Sequence, residues 1–162
     1  MAAHRMQKQS FRRATSADAG IVREITRAAC SKWIPVIGRE PKPMTKNYVQ
    51  AVADHVIDLL EEAGRPIALI EVIPKPSHLL IENVAALPDQ HGKGIGSLLL
   101  KRAETIARSL GLTELRLYTN AMFTANIAFY AHRRAKNLSL TSANFDAGNA
   151  RYRQRLSHCA SR

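Results

Sequence analysis

Only two cysteines, Cys30 and Cys159, occur in the 162 residues, and they stand near opposite ends. That excludes a disulfide framework and a cysteine-rich metal site. The six histidines (His4, His55, His78, His91, His132 and His158) are scattered, with no HExxH and no closely spaced ligand pair. No metal is therefore expected. No apolar run approaches the ~18 residues of a membrane span. The opening MAAHRMQKQS lacks the apolar stretch of a secretory signal, so a cytoplasmic protein without a membrane partner is expected. Aromatic residues are sparse, at 6%, but the hydrophobic share of 46% and charged share of 23% are those of a globular chain. A chain of this length has room for one ordinary domain. We assign residues 1–10 to a disordered tail, 11–157 to a single domain and 158–162 to a C-terminal tail.

Acidic residues are scarce at both ends. Residues 1–14 carry four Arg or Lys and no acid, and residues 131–162 carry seven against Asp146 alone. The stretch between them is nearly balanced, with thirteen basic and twelve acidic residues. The formal net charge of +11 is thus a property of the ends. A nucleic-acid reader would place its basic patch on a folded element with interleaved base-contacting side chains. Solvated basic ends explain the charge more simply, and a nucleic-acid partner is disfavoured.

Patterning along the chain gives the element order. Phe11–Ala14 opens as a short strand. Thr15-Ser16-Ala17-Asp18 is a helix start, followed by Ile21, Val22, Ile25, Ala28 and Ala29 at helical spacing up to Cys30. Ile34–Pro43 contains Pro35, Gly38, Pro41 and Pro43 and reads as a loop of about ten residues. Thr45 caps a second helix through Tyr48, Val49 and Val52. Its end is ambiguous, because Val56, Leu59 and Leu60 extend a helical stripe while Val56, Asp58 and Leu60 also fit a strand. Ile67–Ile73 and His78–Leu87 are strands at hairpin distance. A glycine-rich turn then leads into a helix over Ser97–Leu110, closed by Gly111. Glu114–Thr119 is a strand, Ala125–Ala131 a short helix, and Asn137–Phe145 and Asn149–Leu156 are strands around an Asp146-Ala147-Gly148 turn. The whole is an α+β domain around a mixed, mainly antiparallel sheet.

The turn between Leu87 and Ser97 carries the chemistry. A helix that opens inside a loop bearing Gly92, Gly94 and Gly96 offers unpaired N–H groups and the positive end of its dipole to an anion. Lys93 adds a formal charge. There is no GxxxxGK[ST], so the loop is not a Walker A site. Glu114 lies 18 residues after Gly96, near where a dinucleotide fold places its ribose-binding acid, but the preceding antiparallel hairpin is wrong for such a fold.

The run Ile81-Glu82-Asn83-Val84-Ala85-Ala86-Leu87-Pro88-Asp89-Gln90-His91-Gly92-Lys93-Gly94-Ile95-Gly96-Ser97-Leu98-Leu99 resembles the central motif of the GNAT superfamily of N-acetyltransferases. Asn126-Ile127-Ala128-Phe129-Tyr130 resembles the fourth-helix motif of the same family. The likeness extends, more weakly, from Phe11 to about Leu156. It implies a mostly antiparallel sheet of six to seven strands flanked by about four helices, with His55–Glu61 as its second strand. It also implies a splay between the strand ending near Leu87 and the strand Glu114–Thr119. Two departures stand out. Aligning on Gly94 and Gly96 puts His91 where the family has Gln or Arg, with Gln90 one place early. After Tyr130 the chain reads Ala131-His132-Arg133-Arg134-Ala135 in place of a turn bearing Gly and an aromatic.

What the resemblance implies about function is specific. Acetyl-CoA is the co-substrate, with its phosphates on His91, Gly92, Lys93, Gly94, Ile95, Gly96 and Ser97. Its pantetheine arm pairs with the backbone of Val84, Ala85 and Ala86, and Asn126 contacts it. Tyr130 matches the tyrosine often assigned to protonate the departing thiolate. Trp33, Met44 and Tyr48 belong to the region that shapes the acceptor pocket, and homodimers are common among similar proteins. For the base we single out Glu82. Strict alternation places it on one strand face between Leu80 and Val84, and apolar surroundings favour a carboxylate that takes up a proton. The activity implied is transfer of an acetyl group to a primary amine of a small molecule or protein. Two other readings use the same residues differently: a non-catalytic module that binds acyl-CoA, and a basic RNA- or ribosome-associated protein. The latter lacks RNP-type aromatics and a helix-turn-helix.

Overall fold

The computed structural model describes residues 8–120 and 149–155. The elements, in chain order, are β1 (Gln9–Arg13), α1 (Ala19–Cys30), α2 (Ile34–Ile37), α3 (Lys42–Thr45), α4 (Tyr48–Asp54), β2 (Val56–Glu62), β3 (Arg65–Pro74), β4 (Leu79–Ala86), α5 (Ile95–Ser109), β5 (Glu114–Asn120) and β6 (Asn149–Arg155). The six strands form one sheet in sequence order. All neighbours run antiparallel except β4 and β5, which are parallel and joined through α5. The expected helix Ala125–Ala131 and strand Asn137–Phe145 lie outside the described residues.

Each face of the sheet is covered by helices, which explains the continuous apolar runs of β2 and β3. On one face α5 lays down Ile95, Leu99, Leu100, Ala103, Ile106 and Ala107 at helical spacing. They pack on Leu60, Ala68, Ile70, Val72, Leu79, Ile81, Leu115 and Leu117. On the other, Val22 and Ile25 of α1 and Tyr48 and Ala51 of α4 pack on Ile57, Leu59, Leu69 and Ala85. Each such Leu or Ile contributes about 1.5–3 kcal/mol by burial.

The entry to α1 is fixed by charge. Asp18 accepts a hydrogen bond from the Thr15 backbone N–H at 2.8 Å, and Arg12 grips the same carboxylate in a bidentate pair at 2.8 and 2.9 Å. The Arg12 guanidinium holds the Asp18 carboxyl well below the ordinary carboxylate range. A second device crosses three elements. Asp58 of β2 is fully buried and accepts from Arg13 Nε at 2.5 Å and from Arg102 Nε of α5 at 2.7 Å. A buried carboxylate needs such partners.

Two local expectations are corrected. Ile34–Pro43 is not a loop throughout, for it contains α2 and leads into α3. Proline fits the first turn of a helix, where its missing N–H has no partner to lose, and Pro35 and Pro43 sit there. Thr45 does not cap the next helix. It is the last residue of α3, its hydroxyl donating to the Lys42 carbonyl at 3.1 Å. The cap of α4 is Asn47, whose Oδ1 accepts from the Gln50 N–H at 3.2 Å. The ambiguous stretch after Asp54 is a strand, as the resemblance implied.

Candidate active site

At the C-terminal end of β4 the sheet opens. Parallel pairing with β5 covers only Leu79–Leu115, Leu80–Arg116 and Ile81–Leu117. Beyond Ile81, residues 83–86 continue to pair with β3 on one side, while among the described residues no strand pairs with their other edge. This is the expected splay, and the expected binding residues Val84, Ala85 and Ala86 line it.

Leu87 leads from the open edge through a 3-10 turn, Pro88–Gln90, to the glycine loop and α5. Gly92 and Gly94 have φ of +76° and +74°. A Cβ at either would meet nothing within 4 Å, so it is the left-handed backbone, not crowding, that calls for glycine at these two positions. The same open space lets an anion approach the backbone. Gly94 is the residue before α5, and the N–H groups of the first turn have no intrahelical acceptor. His91 and Lys93 are exposed beside them, and Ser97 is half-buried in the first turn. Ile95 points the other way, into the core. The residues this loop brings together therefore fit a polyanionic group. Gln90 is buried, and its Oε1 has no hydrogen-bond partner among the described residues.

Glu82 does not lie where alternation places it. The β3–β4 register runs Glu71 to Asn83 and then Val72 to Ile81, so Glu82 is the extra residue of a β-bulge. A bulge re-aims side chains next to it. Ile81 and Val84, odd and even, consequently share the α5 face. The Glu82 side chain is 38% exposed and lies 3.4 Å from Lys46 Nζ. It is a partly solvated, ion-paired carboxylate at the mouth of the splay, not one flanked by Leu80 and Val84.

The bulge also exposes a polar cluster that the sequence reading passed over. Glu71, fully buried, accepts at Oε1 from Lys46 Nζ at 2.5 Å and from His55 Nδ1 at 2.6 Å. A carboxylate only accepts, which fixes the proton of neutral His55 on Nδ1. Oε2 of Glu71 is buried with no partner among the described residues. The signal was present in the sequence: Glu71 is the one acid inside the apolar run Ile67–Ile73, and a charge in a buried strand must be paired.

Of the acceptor-side candidates, Trp33, Met44 and Tyr48 are all buried. Tyr48 comes nearest the bulge. Its hydroxyl donates to the Pro43 carbonyl at 2.8 Å and accepts from Asn83 Nδ2 at 3.4 Å. Burial pushes its ionisation upward, so the phenol stays neutral. Asn83 Nδ2 also donates to Thr26 Oγ1 at 3.0 Å, tying α1 to the bulge. Cys30, half-buried near the end of α1, is pushed up to about 11 by burial and is no nucleophile at neutral pH. Tyr130 and Asn126 lie outside the described residues. Among the described residues no group of three or more His, Cys, Asp or Glu is placed to hold a metal ion.

The sheet splays after one parallel pairing beside a glycine loop that opens a helix, as the resemblance to N-acetyltransferases implies. Residues 22–134 match the acetyltransferase (GNAT) family, and the chain belongs to it. Solved structures agree on the fold. A PaiA N-acetyltransferase from Thermoplasma acidophilum, in complex with coenzyme A, superposes with a TM-score of 0.75 at 17% identity, covering 91% of this chain and 99% of its own. The ribosomal-protein-S18-alanine N-acetyltransferase from Escherichia coli gives 0.71 at 16%, covering 95% and 97%. A GNAT family acetyltransferase from Elizabethkingia anophelis with acetyl-CoA bound gives 0.67 at 16%, covering 91% and 98%. No curated protein matches the chain.

Proposed function

We propose that this protein transfers the acetyl group of acetyl-CoA directly to a primary amine, both substrates being bound together. The observation that carries the reading is the end of β4–β5 pairing at Ile81 and Leu117, one residue before the bulge. The edge at Val84, Ala85 and Ala86, unpaired among the described residues, receives the pantetheine arm as an added strand. The N–H groups around Gly92–Ser97, with Lys93 and His91, take the phosphates, and Asn126 contacts the arm. These placements put the thioester at the bulge, within reach of Glu82.

Each residue then has a defined task. Glu82 holds the acceptor's ammonium and takes its proton, directly or through water. The neutral amine attacks the thioester carbon; a C–N bond forms, the C–S bond breaks, and the nitrogen, cationic after attack, sheds its extra proton to water. Tyr130 gives its phenolic proton to the departing thiolate, so that coenzyme A leaves as a thiol and the phenolate regains, through water, the proton shed by the nitrogen. Trp33, Met44 and Tyr48 form the wall behind the acceptor. The two CoA-bound neighbours and the family match support this reading over a purely regulatory acyl-CoA module.

The test is release of free coenzyme A from acetyl-CoA against a panel of primary amines, with the acetylated product identified by mass. Amine-dependent release is expected. Tight acetyl-CoA binding with no amine-dependent release would favour the regulatory module instead.

A further inference from the structure

The acceptor side of the bulge holds a fixed cation next to a movable carboxylate, and we infer that the site selects a zwitterionic acceptor, an amine bearing a carboxylate on the adjacent carbon. The inference rests on the acetyltransferase reading above and names its substrate class. Lys46 sits between α3 and α4, with its side chain 23% exposed. Its ammonium is anchored by the short contact to buried Glu71, at 2.5 Å, and touches the half-exposed Glu82 only at 3.4 Å. The two contacts differ in kind. Releasing Lys46 from Glu71 would strand a buried charge, which is costly, whereas Glu82 can turn in water at little cost.

The ammonium has three hydrogens, and the described residues use two of them. The third, and the adjacent Glu82 carboxylate, present a plus-minus pair whose charged atoms are 3.4 Å apart. In an α-amino acid the amine nitrogen and a carboxylate oxygen are about 3 Å apart, by ordinary covalent dimensions. Such an acceptor lays its ammonium on Glu82 and its carboxylate on Lys46, completing a square of alternating charges. A plain amine satisfies Glu82 alone. Among the described residues around this pair, Glu71 shares the Lys46 ammonium and keeps one buried oxygen without a partner, while the other polar side chains are already engaged. His55 is spent on Glu71, Asn83 on Thr26 and Tyr48, and Tyr48 on the Pro43 carbonyl.

The experiment compares kcat/KM for free α-amino acids with that for their carboxamides, which keep the reacting amine and lose the anion. Wild type is expected to prefer the free acid about ten- to hundredfold, the value of a charged hydrogen bond in a partly screened site. Lys46→Met combined with Glu71→Gln, which avoids leaving one buried charge unpaired, is expected to erase that preference while acetyl-CoA affinity stays unchanged. Lys46→Arg, which keeps the charge, is expected to retain part of it and guards against misfolding of the double variant. Acetylation of carboxamides as fast as of free acids by wild type would overturn the inference while leaving the acetyltransferase reading intact. Absence of transfer to every amine would overturn both.

Discussion

Gly94 separates two physical effects that usually travel together, the backbone conformation of the loop and the charge it receives. With φ at +74° and open space where a Cβ would stand, Asn and Asp are the non-glycine residues that tolerate the position best. They differ by one formal charge and almost nothing in shape. In the ligand-free protein an acid at the start of α5 is favoured by the helix dipole, by about 0.3–1 kcal/mol. Gly94→Asp should therefore unfold at or slightly above the temperature of Gly94→Asn. In the complex the sign reverses. A carboxylate about 5 Å from a phosphate charge, at an effective dielectric of about 20, meets a repulsion of about 3 kcal/mol. That is a fall in acetyl-CoA affinity of about a hundredfold relative to Gly94→Asn. Calorimetry on both folded variants measures it, and raising the salt should narrow the gap. Equal affinities would show that the phosphates do not sit at the start of α5, and the placement of the ligand would be wrong.

The other predictions concern the frame and the chemistry. Asp58→Asn turns one acceptor oxygen into a donor facing an arginine; the cost of breaking a buried ion pair is about 3 kcal/mol, or roughly 6–12 °C in Tm for a chain of this size, and a loss under about 1 kcal/mol in urea unfolding would mean that Arg13 and Arg102 do not fasten β1 and α5 to β2. Asp18, whose folded pKa lies below its ordinary value of 3.8, contributes stability that is present above that value and lost as pH falls through it toward the folded pKa. Wild type should lose more stability than Asp18→Asn on acidification below that point, and identical acid slopes would refute the Arg12 pairing. Tyr130→Phe should lower kcat about 10²–10⁴-fold with little change in KM for acetyl-CoA; a variant that keeps half of kcat would make Tyr130 a packing residue.

Where the sequence was legible, a periodic pattern coincided with a covered face. The α5 stripe from Leu99 to Ala107 and the runs of β3 and β4 each have one packing solution. The glycine loop was legible because positive φ leaves a residue-type signature at Gly92 and Gly94. The misreadings have a common cause, which is that a local pattern cannot register a shift in pairing. One extra residue at Glu82 reverses the alternation that placed it between Leu80 and Val84. Lys46, Glu71 and His55 are up to 25 residues apart, and only the β2–β3 pairing and the two ends of α4 bring them to one oxygen. Proline misled in the opposite sense, since Pro35 and Pro43 open helices while reading as breakers.

Backbone amide exchange, with and without acetyl-CoA, tests the central claim most directly, because that claim is about which N–H groups the ligand takes. Residues 83–86 have no strand on one edge among the described residues, and the first turn of α5 has N–H groups without intrahelical acceptors. Slowed exchange concentrated at Asn83–Ala86 and Gly92–Ser97, with β1 and β2 unchanged, is the predicted result. Protection elsewhere, with both segments exchanging as in the free protein, would contradict the placement of acetyl-CoA in the β4–β5 gap.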